Sequence, residues 1–288
     1  LCGDTTATFN LTSRINQIVN GNLNYQVSFY ANNADVLANN PITTPANYLS
    51  ASTIIICKVV DPTNNSCETF TTLNLEVMAL PGSNSNPTPI ELCNDSGFEF
   101  FDLTTREIQM AGTTPVNTIA FKYYTELADA LLNGNTNRIT SPNIFQNTTI
   151  NYQKIYVRLN SRTNIDSETG LACFKILELD LYVRPYPENK LSNDPYIICV
   201  DQLNAITYPV EIKTLLNNTD YIFQWYIGHD AQIGNEIPGE TNTSFTTSTV
   251  GIYSVKVTNI SNAANCSSVF NVSTQNSIVP NTLAITPN

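Results

Sequence analysis

Phe121-Lys122-Tyr123-Tyr124 is one of three tetrads in the chain that share an apolar–polar–aromatic–aromatic pattern. The other two are Val27-Ser28-Phe29-Tyr30 and Phe223-Gln224-Trp225-Tyr226. Alternation of apolar and polar residues with a period of two predicts a half-buried β-strand. The same strand is therefore predicted three times along the chain.

Cysteines frame each tetrad. Each block opens with a cysteine that is followed two residues later by an aspartate, in Leu1-Cys2-Gly3-Asp4, Leu92-Cys93-Asn94-Asp95 and Ile198-Cys199-Val200-Asp201. A second cysteine closes each block, at Cys67, Cys173 and Cys266. Before it runs a second predicted strand with one basic residue expected to point outward, at Lys58, Arg158 and Lys256. Landmarks in a constant order identify internal repeats, which we call repeats 1, 2 and 3.

The repeats predict an all-β protein of three tandem immunoglobulin-like antiparallel β-sandwich domains in an elongated array. The domains are expected at residues 1–80, 90–185 and 195–276, the last of them immunoglobulin-like or PKD-like, with a linker or tail at 277–288. Proline-rich segments at 81–89 and 185–195 read as extended, semi-stiff linkers. In repeat 3, Trp225 and Tyr253 match the buried strand tryptophan and corner tyrosine of immunoglobulin folds. Short helices are expected only at 34–38 and 126–132.

The composition excludes several classes of partner. The net charge is −11 and the isoelectric point is near 4.4. An acidic chain disfavours binding to nucleic acid and to anionic lipid. No apolar run approaches the length of a membrane span, so direct membrane insertion is not expected. Because the chain starts directly at a repeat-opening Leu1-Cys2, we interpret it as a piece of a longer protein.

Seven cysteines in this pattern predict an oxidising compartment. The repeat favours one disulfide within each block, tying the first strand of a domain to the loop before its last strand. Cys57 aligns with Val157 and Val255, so we interpret it as a free, buried thiol that packs as a small hydrophobic residue. A reactive or bridging thiol is the alternative for this position. The predicted disulfides are Cys2–Cys67, Cys93–Cys173 and Cys199–Cys266.

No catalytic constellation is visible, and we predict that the chain is not an enzyme and has no cofactor. Its single histidine, His229, is expected to be a solvated loop residue. The repeated Asp4, Asp95 and Asp201 are interpreted as Asx-turns or caps beside the disulfides. The alternative is a Ca²⁺ ligand at a domain junction, which needs several converging oxygens.

Three tyrosines are candidate surface-contact residues: Tyr30, Tyr124 and Tyr226. Each follows the core aromatic residue of its tetrad, so strict alternation points it outward. Exposed aromatic residues bind sugars or partner proteins. The alternative is that tyrosine simply suits strand surfaces and edges.

The motifs carry a family resemblance. Leu-Cys-x-Asp, Phe101-Asp102-Leu103-Thr104 and Ile155-Tyr156-Val157-Arg158-Leu159, with a cysteine before the last alternating strand, resemble the repeats of large cell-surface adhesins of gliding bacteria. Those bacteria export such proteins by the type IX secretion system. The resemblance implies an extracellular, outer-membrane-associated filament with further repeats in the same long chain. It also implies contact with extracellular surfaces, polysaccharide or other cell-surface proteins.

The resulting hypothesis is a repeat segment of an extracellular adhesin filament, which mediates adhesion through many weak contacts. Gliding motility is a further hypothesis from the resemblance. Two alternatives stay open. One is a set of carbohydrate-binding accessory modules of a secreted polysaccharide-degrading enzyme, and the other is a structural stalk that binds nothing.

Overall fold

A computed structural model describes residues 1–63, 67–83, 85–166, 169–201 and 207–279. The predicted all-β, immunoglobulin-like fold class is confirmed, since every repeat is built mainly from β-strands. The strands of repeat 1 are β1 (Cys2–Gly3), β2 (Ala7–Phe9), β3 (Gln26–Tyr30), β4 (Tyr48–Ser50), β5 (Thr53–Val60), β6 (Glu68–Leu75) and β7 (Met78–Ala79). Its helices are α1 (Ile15–Ile18) and α2 (Asn33–Ala38), with 3₁₀ turns at Leu11–Arg14 and Pro45–Asn47.

The core of repeat 1 follows from alternation along its strands. The main antiparallel sheet has the order β3-β5-β6, and β2 pairs with β4. In β5, Ile55, Cys57 and Val59 point inward and are buried, while the residues between them are less buried. Ile55 and Cys57 pack against Phe9 and Phe29, so apolar side chains from several strands share one core.

Repeat 2 has the longest strands. They are β8 (Ile90–Cys93), β9 (Phe100–Phe101), β10 (Ile119–Tyr124), β11 (Arg138–Ile139), β12 (Phe145–Gln146), β13 (Tyr152–Ile165) and β14 (Ala172–Arg184). The helices are α3 (Glu107–Ala111) and α4 (Leu127–Leu132), with 3₁₀ turns at Leu103–Arg106, Val116–Thr118 and Pro142–Ile144. β10 pairs antiparallel with β11 and β13, and β9 pairs antiparallel with β12.

Repeat 3 contains strands and turns among its described residues. The strands are β15 (Tyr196–Asp201), β16 (Thr207–Tyr208), β17 (Val210–Lys213), β18 (Tyr221–Ile227), β19 (Ser244–Thr247), β20 (Gly251–Asn259) and β21 (Ser267–Val279). A sheet in the order β16-β15-β21-β20-β18 faces the pair β17-β19. Trp225 is fully buried between them, stacked on Phe245 at 5.4 Å between ring centroids. The Tyr253 hydroxyl donates to the Thr249 carbonyl at 3.0 Å, so the predicted tryptophan and corner tyrosine are confirmed.

The two predicted helices are also confirmed, as α2 and α4. Asn32 caps α2 by accepting a hydrogen bond from the Asp35 backbone N–H at 3.0 Å. Both helices end at an asparagine in the left-handed conformation, Asn39 and Asn133, which is a common way to stop a helix. The short helices α1 and α3 were not predicted, because four or five residues carry too little periodicity to detect.

The chain folds into two compact units. The first contains Leu1–Thr88, Leu103–Pro142 and Ile155–Leu179. The second contains Pro89–Asp102, Asn143–Lys154 and the described residues from Asp180 onward. Repeat 1 lies in the first unit, repeat 3 lies in the second, and repeat 2 contributes to both. The division into three domains stays a prediction.

Candidate functional site at the inter-repeat disulfides

Two disulfide bonds join cysteines of consecutive repeats. Cys2 of repeat 1 bonds to Cys173 of repeat 2, with Cα atoms 5.5 Å apart, and both residues belong to the first compact unit. Cys93 of repeat 2 bonds to Cys266 of repeat 3, with Cα atoms 5.6 Å apart, and both belong to the second. The predicted pairings Cys2–Cys67, Cys93–Cys173 and Cys199–Cys266 are therefore wrong. Each opening cysteine is linked to the closing cysteine of the next repeat.

The strand register explains why a bond within one repeat is excluded. In repeat 2, the opening strand β8 runs parallel to the last strand β14, and Cys93 lies opposite Arg184. Arg184 is eleven residues beyond Cys173 on the same continuous strand. At about 3.3 Å per strand residue, Cys93 and Cys173 are separated by roughly 36 Å. A disulfide needs Cα atoms about 4.4–6.8 Å apart, so the two cysteines mark opposite ends of the repeat.

Three cysteines form no disulfide within the described part of the chain. Cys57 is completely buried in the core of repeat 1, the place expected for a small hydrophobic residue, and burial raises the pKa of its thiol to about 11. Cys67 is exposed and Cys199 is partly exposed. Both were expected in disulfides, and the change of pairing leaves them as thiols.

Polar contacts from the first residues of the chain surround the Cys2–Cys173 bond. The amino terminus of Leu1 donates to the Glu76 carbonyl at 2.9 Å, which seats the opening segment against its own repeat. Asp4 then forms an ion pair with Lys175 of repeat 2, with 3.2 Å between Oδ1 and Nζ. Both residues lie two positions after the bonded cysteines, so the ion pair sits beside the disulfide and links the same two repeats.

Gly82 and Ser83, in the segment predicted as a semi-stiff linker, are hydrogen-bonded to repeat 2. The Ser83 N–H donates to the Met110 carbonyl at 2.7 Å, and the Gly82 N–H donates to the Thr114 hydroxyl at 3.1 Å. Gly82 has a φ of +89°, and a Cβ there would lie 2.8 Å from the Met110 carbonyl oxygen and against the side chain of Leu159. Glycine is required at this point because the backbone passes too close to repeat 2 for any side chain.

A comparable set of contacts surrounds the Cys93–Cys266 bond in the second unit. The Asn94 N–H donates to the Arg184 carbonyl at 2.9 Å, directly after the bonded Cys93. The Arg184 guanidinium is paired with Glu91 at 2.8 Å and lies over the ring of Tyr182, 4.2 Å from the centroid. The end of β14 is therefore held by backbone and side-chain contacts next to the disulfide.

The repeated aspartates have roles that sequence reasoning did not identify. Asp4 forms the ion pair with Lys175, and the Asp95 carboxylate accepts a hydrogen bond from the Tyr186 backbone N–H at 2.9 Å. Neither contact is the expected Asx-turn or cap, because each reaches a residue distant in sequence. Among residues 1–63, 67–83, 85–166, 169–201 and 207–279, no group of three or more His, Cys, Asp or Glu side chains is placed to hold a metal ion.

The candidate surface tyrosines are buried, which corrects the expectation that they face solvent. Tyr30, Tyr124 and Tyr226 are 2%, 0% and 8% exposed. The Tyr30 hydroxyl donates to the side chain of Asn39 at 3.1 Å, so the residue that ends α2 also covers the tyrosine. Asn133 at the end of α4 lies 3.5 Å from the Tyr124 hydroxyl in the same way. Alternation assigns a face of the strand, but a helix or loop can cover that face.

Arg158 is a second residue that was expected to point outward and does not. Its side chain is stacked on the ring of Phe174, 3.3 Å from the centroid, and it donates to the Ala130 and Leu131 carbonyls at 2.9 and 3.0 Å. Those carbonyls belong to the last turn of α4, where the usual i+4 partner is missing, although the Ala130 carbonyl also accepts from the Asn133 N–H at 3.3 Å. Burial lowers the pKa of Arg158. The equivalent Lys256 of repeat 3 is exposed, as expected.

His229 lies exposed in the turn after β18. None of the described helices is both long enough and apolar enough to cross a membrane.

The sequence of repeats 1 and 2 matches a known family. The profile of the Flavobacterium inter-domain disulphide bond domain matches residues 1–81 and 89–187. The chain belongs to this family. The two disulfides of this Flavobacterium inter-domain disulphide bond protein connect consecutive repeats, in agreement with the family description. Repeat 3 lies outside the matched residues, although it supplies Cys266 to the second bond.

Solved structures of tandem immunoglobulin domains are similar to this member of the family. A titin segment of domains I67–I69, an E-to-A variant, is 10% identical, with 98% of this chain and 94% of that chain covered and a TM-score of 0.29. Drosophila OTK extracellular domains 3–5 are 10% identical, with 98% and 93% covered and a TM-score of 0.35. A comparison with curated proteins found no match.

Proposed function

We propose that this chain is a repeat segment of an extracellular cell-surface adhesin filament, in which disulfides between repeats carry tension while many weak contacts provide adhesion. The observation that supports it most directly is the pair of inter-repeat disulfides. Disulfides persist in oxidising surroundings outside the cytoplasm, and the Flavobacterium family fits a surface repeat.

The two bonds interlace along the chain, because Cys93 lies inside the loop closed by Cys2 and Cys173. The shortest covalent path from Cys2 to Cys266 uses both disulfides and only the roughly 80 residues between Cys93 and Cys173. That path extends to at most about 280 Å even when every repeat is unfolded, against roughly 900 Å for the reduced chain. Unfolding under load therefore lengthens the segment far less than its residue count allows.

The carbohydrate-binding alternative predicts a strip of exposed aromatics in one domain. Tyr30, Tyr124 and Tyr226 are buried and do not contribute to such a strip. The stalk alternative shares the same disulfides and differs from the adhesin only in lacking a ligand. A role in gliding, export by type IX secretion and association with the outer membrane are parts of the proposal that follow from the resemblance.

The test uses source cells that carry the native chain or a Cys93→Ser/Cys266→Ser variant, with Cys57→Ala as the control cysteine substitution. An antibody against the native protein should label intact cells. Cells with the native chain or the control should resist detachment from a surface under flow, and the disulfide variant should detach at lower shear. Label found only after permeabilisation would refute the surface location. Equal detachment of labelled variant and native cells would refute the role of the disulfides in adhesion under load.

A further inference from the structure

Cys199 occupies the same structural position as the two opening cysteines that form disulfides. Cys2 lies opposite Met78, Cys93 opposite Arg184 and Cys199 opposite Ser277, always in a parallel pair with the last strand of the repeat. Each of these partners is eleven residues beyond the closing cysteine of its own repeat. The register is thus identical in all three repeats, including the third, which the family profile does not match.

Cys67 likewise occupies the position of a bonded closing cysteine. The Cys67 carbonyl accepts from the Asp61 N–H at 3.1 Å, directly before β6 begins at Glu68. The Cys266 carbonyl accepts from the Asn259 N–H at 2.8 Å, in the same way directly before β21 begins at Ser267. Cys266 uses this position to bond the opening cysteine of the preceding repeat, whereas Cys67 is an exposed thiol.

We propose that Cys199 and Cys67 are complementary linkage sites, at which this segment bonds to further repeats of the same kind. Cys199 takes the closing cysteine of a repeat that follows it, and Cys67 takes the opening cysteine of a repeat that precedes it. Three observations carry the assignment: the shared strand register, the backbone hydrogen bond that Cys67 and Cys266 share, and the two bonds already formed by equivalent residues. It does not depend on the adhesive role proposed above.

The bond forms by thiol–disulfide exchange with a small disulfide oxidant such as oxidised glutathione. The Cys199 thiolate attacks the oxidant and forms a mixed disulfide, releasing one glutathione thiol. The thiolate of the incoming closing cysteine then attacks the Cys199 sulfur and releases the second. Two protein thiols lose two protons and two electrons, and one oxidant disulfide becomes two thiols.

A tandem protein tests the proposal, because a second copy of the chain supplies a closing cysteine after Cys199. The spacing from a closing cysteine to the next opening one is 26 residues in both natural junctions, from Cys67 to Cys93 and from Cys173 to Cys199. Two full-length copies joined by a two-residue spacer reproduce this spacing from Cys266 to the Cys2 of the second copy. Cys57→Ala in both copies removes the buried thiol from the count.

After refolding in a glutathione redox buffer, we expect a peptide that joins Cys199 of the first copy to Cys67 of the second. Mass spectrometry after alkylation should count two thiols per tandem instead of four. A matched tandem with Cys67→Ser in its second copy should leave Cys199 of the first copy alkylated. Four alkylated thiols in a protein that has both Cys2–Cys173 and both Cys93–Cys266 bonds would overturn the proposal, as would Cys199 joined to any cysteine other than that Cys67.

Discussion

Cys93 lies opposite Arg184 in a parallel strand pair, eleven residues beyond Cys173 on β14. This single register places the two cysteines of repeat 2 at opposite ends of the repeat. Each is then available only to a neighbour, Cys93 to repeat 3 and Cys173 to repeat 1. The covalent connection between repeats is therefore a consequence of parallel strand pairing within each repeat.

A single cut between repeats 2 and 3 should not release a fragment. A recognition site for a specific protease, inserted between Glu188 and Asn189 in an exposed stretch, lies inside the loop closed by Cys93 and Cys266. The cut protein should run at full size on a non-reducing gel and separate into two pieces on reduction.

The control for this cut is Cys266→Ser, which opens the loop. The same protein should then separate without reductant. Separation of the native-cysteine protein without reductant would show that no disulfide joins repeats 2 and 3, which contradicts the Cys93–Cys266 bond.

Gly82→Ala should weaken the attachment of Gly82 and Ser83 to repeat 2. The substitution combines a disfavoured φ with a Cβ that meets the Met110 carbonyl and the Leu159 side chain. We expect the free energy of unfolding to fall by about 2–4 kcal/mol. Hydrogen exchange of the Ser83 amide, which donates to Met110, should become faster by more than tenfold.

Gly21→Ala is the matched control for Gly82, because Gly21 has a similar φ of +82° but no atom within 4 Å of the added Cβ. Gly21→Ala should lower the free energy of unfolding by only about 1 kcal/mol, because only the backbone conformation is disfavoured. Equal effects of the two substitutions would mean that close approach is not what requires glycine at position 82.

Arg158→Met should destabilise repeat 2 by about 2–4 kcal/mol, because the Ala130 and Leu131 carbonyls lose a charged donor while they stay shielded by the protein. Thermal unfolding followed by circular dichroism measures the loss. Lys256→Met alters the equivalent exposed position of repeat 3 and should change stability by less than about 0.5 kcal/mol. A loss of stability for Lys256→Met as large as that for Arg158→Met would contradict the buried role of Arg158.

Cys57 should make stability depend on pH in the alkaline range. Burial raises its pKa from 9.0 to about 11, so the thiolate is favoured in the unfolded chain. The stability that follows from this raised pKa is fully present below about pH 9 and is lost as the pH rises from about 9 through 11. Urea unfolding at several pH values should show this decrease in stability. Cys57→Ala should remove the part of the decrease that comes from the Cys57 thiol.

The alkaline experiment needs a Cys67→Ser/Cys199→Ser background, because accessible thiolates exchange with disulfides at high pH. Iodoacetamide labelling of the native protein gives an independent check at pH 8. The exposed Cys67 should react well before Cys57, since the thiolate is the nucleophile. Faster labelling of Cys57 would contradict its burial.

Local patterns predicted the strands around Phe121, Phe29 and Trp225, the two helices that end at Asn39 and Asn133, and the corner Tyr253. They failed where another element covers the strand face, as at Tyr30 and Arg158, which the ends of α2 and α4 cover. The disulfide pairing left one signal in the sequence. The distance from a closing cysteine to the next opening one is constant at 26 residues, while the distance from opening to closing cysteine within a repeat varies, being 65, 80 and 67 residues. Because only the spacing across the junctions is constant, it indicates that the geometry repeated along the chain is that of the junctions between repeats.

By itself, the sequence determined the repeats, the all-β class, the core aromatic residue of each tetrad and the position of every cysteine, because each depends on periodicity or on residue type over a short stretch. Only the tertiary structure decided which cysteines meet, since a disulfide requires Cα atoms within about 7 Å, and residues some 170 positions apart are brought that close only by strand pairing. The parallel register of the opening and closing strands sends each cysteine pair to opposite ends of its repeat, and no local pattern encodes that direction.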